Sequence, residues 1–164
     1  MKEWFVCKIK YQKQDEKGSV KNVNEPYLVD AMSYTEAEAR IYEELSKLIQ
    51  GEFIVSNISK SNISDVFFYD DADIWHKCKI TYSVADDESG KEKKITNYML
   101  VSAANVQEAY DRIHQSLNNM LVTFRVPSII ESPIVEIFPY VSEADREPEI
   151  PENLKSMDEM EDQE

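Results

Sequence analysis

The stretch Trp4-Phe5-Val6-Cys7-Lys8-Ile9-Lys10-Tyr11 returns as Trp75-His76-Lys77-Cys78-Lys79-Ile80-Thr81-Tyr82, with the tryptophan, the cysteine, the lysine after it, the isoleucine and the tyrosine each displaced by 71 positions. A period of that length marks a duplicated half-domain, since solenoid units repeat every ~20–50 residues. Working outward, each copy runs into a polar loop with one glycine, Asp15-Glu16-Lys17-Gly18 and Asp86-Asp87-Glu88-Ser89-Gly90, the signature of a hairpin. A second extended run follows, Tyr27-Leu28-Val29-Asp30-Ala31 against Tyr98-Met99-Leu100-Val101-Ser102-Ala103. Here the tyrosines align at 71 and the Leu-Val pair at 72, so one residue is inserted between them, and a β-bulge is the expected form.

Ser33-x-x-Glu36 and Asn105-x-x-Glu108 come next. Each offers a capping oxygen and, three residues on, a carboxylate able to reach back to the capping amide, so each predicts a helix start. Ala37, Ile41, Leu45 and Leu48 in one copy, and Ala109, Ile113, Leu117 and Met120 in the other, form a single apolar stripe at helical spacing. Gly51 is the expected stop for the first helix and Asn118-Asn119, in a left-handed conformation, for the second. Two further runs close each copy, the last being Ile63 to Tyr69 and Ile134 to Tyr140.

The expectation is an α+β fold of two tandem β-β-α-β-β repeats, residues 1–70 and 71–140, packed as one globular unit with pseudo-two-fold symmetry and largely antiparallel sheets. Strand order does not follow from the repeat.

Charge is unevenly spread. Residues 141–164 carry ten acids against two bases, a net −8 of the chain's −14, with Pro148 and Pro151 and few branched apolar side chains. Such a segment cannot bury enough surface to offset its ordering entropy, so a disordered acidic tail is expected. The rest of the chain, within a composition that is 42% apolar, is long enough for one real core or two small ones. No apolar run reaches membrane-spanning length, Met1-Lys2-Glu3 leads directly into a strand, and two cysteines do not make a disulfide framework; together these point to a cytoplasmic protein with no membrane partner.

Alternation along the first strand of each copy puts Trp4, Val6, Lys8 and Lys10 on one face, and Trp75, Lys77, Lys79 and Thr81 on its counterpart. A tryptophan above a lysine pair therefore occurs twice. Two readings stay open for Trp4, Lys8, Lys10, Trp75, Lys77 and Lys79. They could bind single-stranded nucleic acid or a nucleotide, the rings stacking on bases while the ammonium groups meet phosphate. They could equally form the seam where the halves or two protomers meet, the lysine stems lying over apolar surface, and this is the reading expected.

Other constellations are poor. His76 and Cys78 share a strand face without the further ligands of a tetrahedral site, so no metal is expected and both cysteines read as core side chains. Asp70-Asp71-x-Asp73 lacks the glycine and distal glutamate of a calcium loop and reads as a solvated linker. Only Gly18, Gly51 and Gly90 are present, each at a turn or helix end, which excludes a glycine-rich phosphate loop. His114 has no nucleophile beside it in sequence and reads as an exposed helical residue.

Trp4-Phe5-x-Cys7-Lys8-Ile9-x-Tyr11, Glu25-Pro26-Tyr27-Leu28-Val29-Asp30-Ala31, Thr35 to Arg40, Gly51-Glu52-Phe53, Lys93-Lys94-x-x-x-Tyr98-Met99-Leu100-Val101 and Phe138-Pro139-Tyr140 resemble a family known as a domain of unknown function, found in Bacteroides-type bacteria and their phages and mobile elements. The resemblance implies a small intracellular accessory protein and brings no catalytic or binding residues with it. The expected function is a non-catalytic binding protein without cofactor, contacting protein partners or itself as a homodimer. The alternatives are a replication accessory protein on single-stranded nucleic acid, with the tail as an electrostatic decoy, and a phage counter-defence protein that sequesters a nucleotide signal or mimics DNA.

Overall fold

A computed structural model describes residues 2–139; Tyr140 and the acidic segment 141–164 lie outside the described residues. The chain runs β1 (Glu3–Gln14), β2 (Val20–Ala31), α1 (Tyr34–Leu48), β3 (Phe53–Lys60), β4 (Ile63–Phe67), β5 (Trp75–Ala85), β6 (Glu92–Ser102), α2 (Val106–Ser116), β7 (Phe124–Glu131) and β8 (Ile137–Phe138). This is an α+β fold with two mostly antiparallel four-stranded sheets, of order β3-β1-β2-β8 and β4-β6-β5-β7. In each sheet one edge strand, β8 or β4, is the odd one. β4 leaves the first sheet to lie parallel beside β6 in the second, and β8 leaves the second to lie parallel beside β2 in the first.

Both crossings use the same device. Ser61 N–H donates to the Trp4 carbonyl at 2.8 Å and Ser132 N–H to the Trp75 carbonyl at 2.7 Å, which holds each turn against the first strand of its hairpin. The same serines then accept from the amides two residues on, Ile63 and Ile134, each at 3.3 Å.

The helices start as expected. Ser33 Oγ accepts the Glu36 amide at 3.1 Å and Asn105 Oδ1 the Glu108 amide at 2.8 Å. The returning bond differs: Glu108 reaches the Ala104 amide, one residue before the cap. The helix ends differ more. Gly51 takes φ +100°, where a side chain would be strained, but among the described residues only glycines have positive φ. Asn118 and Asn119 are therefore not left-handed; α2 unwinds through tight bonds from Asn118 N–H to the Gln115 carbonyl and Met120 N–H to the Leu117 carbonyl. Leu48 is exposed, so the buried stripe of α1 ends at Leu45.

The inserted residue is not a bulge. β1 pairs with β2, and β5 with β6, without a register shift. Residues 15–19 link the first pair and residues 86–91 the second, so the extra residue sits in the second hairpin loop. Leu28 and Leu100 are thus equivalent, whereas Tyr27 corresponds to Met99. Tyr27 and Met99 both face their helices, and the match of Tyr27 with Tyr98 is a coincidence of spelling.

Three apolar clusters hold the layers together. Phe5, Cys7, Ile9 and Val29 pack under Ile41 and Leu45 of α1, and Cys78, Ile80, Met99 and Val101 under Ile113 of α2. The third cluster joins Leu28, Trp75, Leu100 and Ile137, with Trp4, Val6, Ile63, Val66 and Ile134 against it. Alternation places this cluster on the face of each sheet turned away from its helix, so the layers run helix, sheet, sheet, helix. Burial on both faces explains why Tyr27, Leu28 and Val29, and Met99, Leu100 and Val101, are consecutively buried instead of alternating.

The cleft between the two sheets as candidate functional site

The apolar seam fills only one end of the facing surfaces. Beyond it the side chains on the same faces become longer and polar, and a cleft of about 620 Å³ opens, with Val6, Leu28 and Leu100 from the sheets and Ile63 and Ile134 from the two crossings in its wall. Lys8, Lys60 and Lys77 line it, with Glu131 as the acid among its lining residues. Residues from both halves contribute, because each crossing carries the strand that follows its turn to the opposite hairpin. A predominantly apolar concavity of this size with a few charged groups at its edge suits a small or narrow ligand.

The six residues singled out from the sequence divide. Trp75 is buried, 7% exposed, with its ring meeting Phe68 edge to face at 5.1 Å; it is taken up by packing and offers no stacking surface. Trp4 is half-buried at the same seam. Lys8 and Lys77 meet at the cleft, Lys77 placing its ammonium 4.8 Å from the centre of the Tyr98 ring, a cation–π contact. Lys10 is exposed and Lys79 half-buried, and neither lines that cleft. Lys60 was not foreseen. It lies at the end of an edge strand and forms an ion pair with Glu3 at 3.1 Å.

Further out, the face of the second sheet turned away from α2 carries Lys77, Lys79, Thr81 and Ser83 on β5. Lys94 stands opposite Ser83 on β6 and Arg125 opposite Thr81 on β7. Thr81, Ser83, Lys94 and Arg125 together line a second concavity of about 810 Å³, with Val122 and Pro127 beside them. Its counterpart on the first sheet, also about 810 Å³, presents Lys10, Gln12, Asn22, Asn24 and Ile54. The matching register positions differ: Lys94 and Arg125 on the second sheet stand where the first has Asn22 and Ile54, and Thr81 stands where the first has Lys10. The sequence signal for Arg125 was its replacement of Ile54 in the repeat.

On the helix side of the first sheet the Tyr11 and Tyr27 hydroxyls both donate to Glu25 Oε2, at 2.8 and 3.0 Å. Burial, then the hydrogen bond to Glu25 and its charge, push the Tyr11 phenol up to about 12; the same causes raise Tyr27 further. Burial pushes both thiols, Cys7 and Cys78, up to about 12, so neither is a nucleophile near neutral pH. His76 is buried with no hydrogen-bond partner for Nδ1. His114, expected to be exposed, is half-buried between Tyr110 and Phe124, ring centres 4.3 and 5.3 Å away. Among the described residues no three His, Cys, Asp or Glu side chains converge as a metal site. Asp71 of the acidic linker is held by both carboxylate oxygens to Arg112 at 2.7 Å. No helix among the described residues is long and apolar enough to cross a membrane.

A family model described as a domain of unknown function, DUF4494, matches residues 3–140. No curated protein and no solved structure matches the chain.

Proposed function

Since this chain belongs to the DUF4494 family, whose description assigns no activity, we propose from its own residues that it is a non-catalytic binding protein whose two halves, related by an approximate two-fold axis, hold one compact organic anion in the cleft between their sheets. The observation that carries this reading is the composition of the cleft: an apolar wall of Val6, Leu28 and Leu100 beside Lys8, Lys60 and Lys77. A nucleotide has the matching form, a flat weakly polar base and a phosphate. The resemblance to proteins of Bacteroides-type bacteria and their phages fits an intracellular role in sequestering such a signal, with the chain working as a homodimer in the cytoplasm.

Titration calorimetry with nucleotides, cyclic nucleotides and acidic peptides tests it. Saturable binding of one nucleotide class, weakened at least ~10-fold by Lys8→Glu and by Lys77→Glu, supports the reading, since loss of one charge-assisted contact costs ~1.5–3 kcal/mol. Binding of an acidic peptide alone would move the ligand to a protein partner. Nucleotide binding unaffected by either substitution would remove the cleft from the account.

A further inference from the structure

We propose that the face of the second sheet turned away from α2, where it extends beyond the seam, is a track for the phosphate backbone of single-stranded nucleic acid, running from Arg125 and Lys94 along β5 to Lys77 at the mouth of the cleft. The inference deepens the binding reading, with which it shares Lys77, by extending the ligand from a single nucleotide to a strand. It stands on the arrangement of charge in a chain of net charge −14. Register aligns the residues of three strands on one face: Lys77, Lys79, Thr81 and Ser83 of β5; Tyr98, Thr96 and Lys94 of β6; Ser128 and Arg125 of β7. Among the described positions on that face of β5 and β6, the carboxylate is Glu92, opposite Ala85 at the tip of the hairpin. Of the acids of this half, Glu131 lines the cleft where the track ends, whereas Glu108 and Asp111 lie on α2 and Asp86, Asp87 and Glu88 in the loop.

The chemistry of the strip suits a phosphodiester. Cations supply the sequence-independent attraction, and serine and threonine hydroxyls donate to phosphate oxygens. Lys94, Arg125 and Ser83 are exposed and line one concavity with the buried Thr81 beneath them, so the hydroxyls open to a phosphate are those of Ser83, Thr96 and Ser128. From Lys77 to Ser83 the strand advances ~20 Å at ~3.3 Å per residue, enough for a few nucleotides of an extended chain. The corresponding face of the first sheet keeps Lys8 and Lys10 but has Asn22 and Ile54 where Lys94 and Arg125 stand, so the charge that extends the track is a feature of the second half. A strand fits and a duplex does not, because the track leads into a cleft of only about 620 Å³.

The test is fluorescence anisotropy of a labelled oligothymidylate with the full chain over a range of salt, beside the double variant Lys94→Glu/Arg125→Glu. The expected result is saturable binding whose log–log salt slope is about −3, from ~0.7 per neutralised phosphate and four cations. In the double variant affinity falls at least ~10-fold and the slope shrinks by about 1.4, while nucleotide affinity in the cleft and the thermal midpoint stay unchanged. No binding by the wild-type chain at low salt, or equal binding by the variant, overturns the proposal. Equal competition by polyglutamate reassigns the strip to acidic peptides and overturns it too. Nucleotide binding without oligonucleotide binding sinks this inference alone, whereas oligonucleotide binding without nucleotide binding sinks the cleft reading alone.

Discussion

Arg112 sets its guanidinium 4.6 Å from the centre of the Tyr69 ring, so a residue of α2 grips the chain that has just crossed from the first sheet to the second. The Tyr69 hydroxyl reaches back to the Arg112 carbonyl and the Ser116 hydroxyl, and the Tyr69 backbone is held at both ends by the buried Ser102 hydroxyl. Arg40 does related work in the first half. It donates to the carbonyls of Asp30 and, at 3.1 Å, Pro139, just past the end of β8. Each helix thus carries an arginine that fastens the strand arriving from the other copy.

Arg112→Ala is therefore expected to lower stability by about 2–3 kcal/mol. It removes hydrogen bonds to the Ser102 carbonyl and to Asp71, the ion pair to Glu108 at 3.1 Å and the ring contact, from a side chain only 12% exposed. Lys60→Ala is the control. Both partners of the Lys60–Glu3 pair are about half exposed, and such pairs contribute ~0–1 kcal/mol. Urea midpoints of the two variants decide the matter: equal losses would mean that Arg112 does not fasten the crossing.

The tryptophans should behave differently although the repeat spells them alike. Trp75→Ala empties the seam between the sheets and is expected to cost about 3–5 kcal/mol, and Trp4→Ala less, because its ring is only half-buried. Acrylamide should quench Trp4, observed in Trp75→Phe, more strongly than Trp75, observed in Trp4→Phe. Equal quenching would contradict the placement of Trp75.

Much of this architecture was legible locally. Capping residues announced both helices, and alternation in Trp4 to Tyr11 separated the helix face from the seam face. The crossing of β4 and β8 was not legible, because Ile63 to Phe67 reads as a strand whichever sheet receives it. The placement of the inserted residue was misread because Tyr98 imitates Tyr27, and only the continuous pairing of β5 with β6 exposes the imitation. The cleft was half visible. Lys8 and Lys77 lie on strands whose alternation can be counted, whereas Lys60, Lys94 and Arg125 join the same surfaces through lateral pairing, which the linear chain does not display.

Alkaline pH should unfold the protein through its buried acids. The thiols of Cys7 and Cys78 move from an ordinary value of 9.0 to about 12 on folding, and Tyr11 from 10.0 to about 12, in each case chiefly by burial. The unfolded chain releases these protons first. The stabilisation is thus complete below about pH 9 and drains away as pH climbs towards about 12. Urea midpoints should hold from neutrality to pH 9 and fall steeply above it, less steeply in a Cys7→Ala/Cys78→Ala variant. A midpoint that stays flat to about pH 11 would show the thiols to be solvated.

The hairpin loops offer a test of the fold that needs no ligand. If the extra residue of the second copy sits in residues 86–91, deleting Asp87 only shortens a solvent-exposed loop. Closure entropy varies with the logarithm of loop length, so the expected change is under ~0.5 kcal/mol. Deleting Asn97 removes the same number of atoms from the backbone but acts inside β6. The chain must draw one residue out of the loop to restore pairing, which turns the half-buried Ile95 from the helix side to the opposite face and abolishes the bond from Asn97 to the Tyr82 hydroxyl at 3.4 Å. A loss of about 1–3 kcal/mol is expected there. Equal losses for the two deletions would place the extra residue within the strand, and Tyr98 would then be the true counterpart of Tyr27.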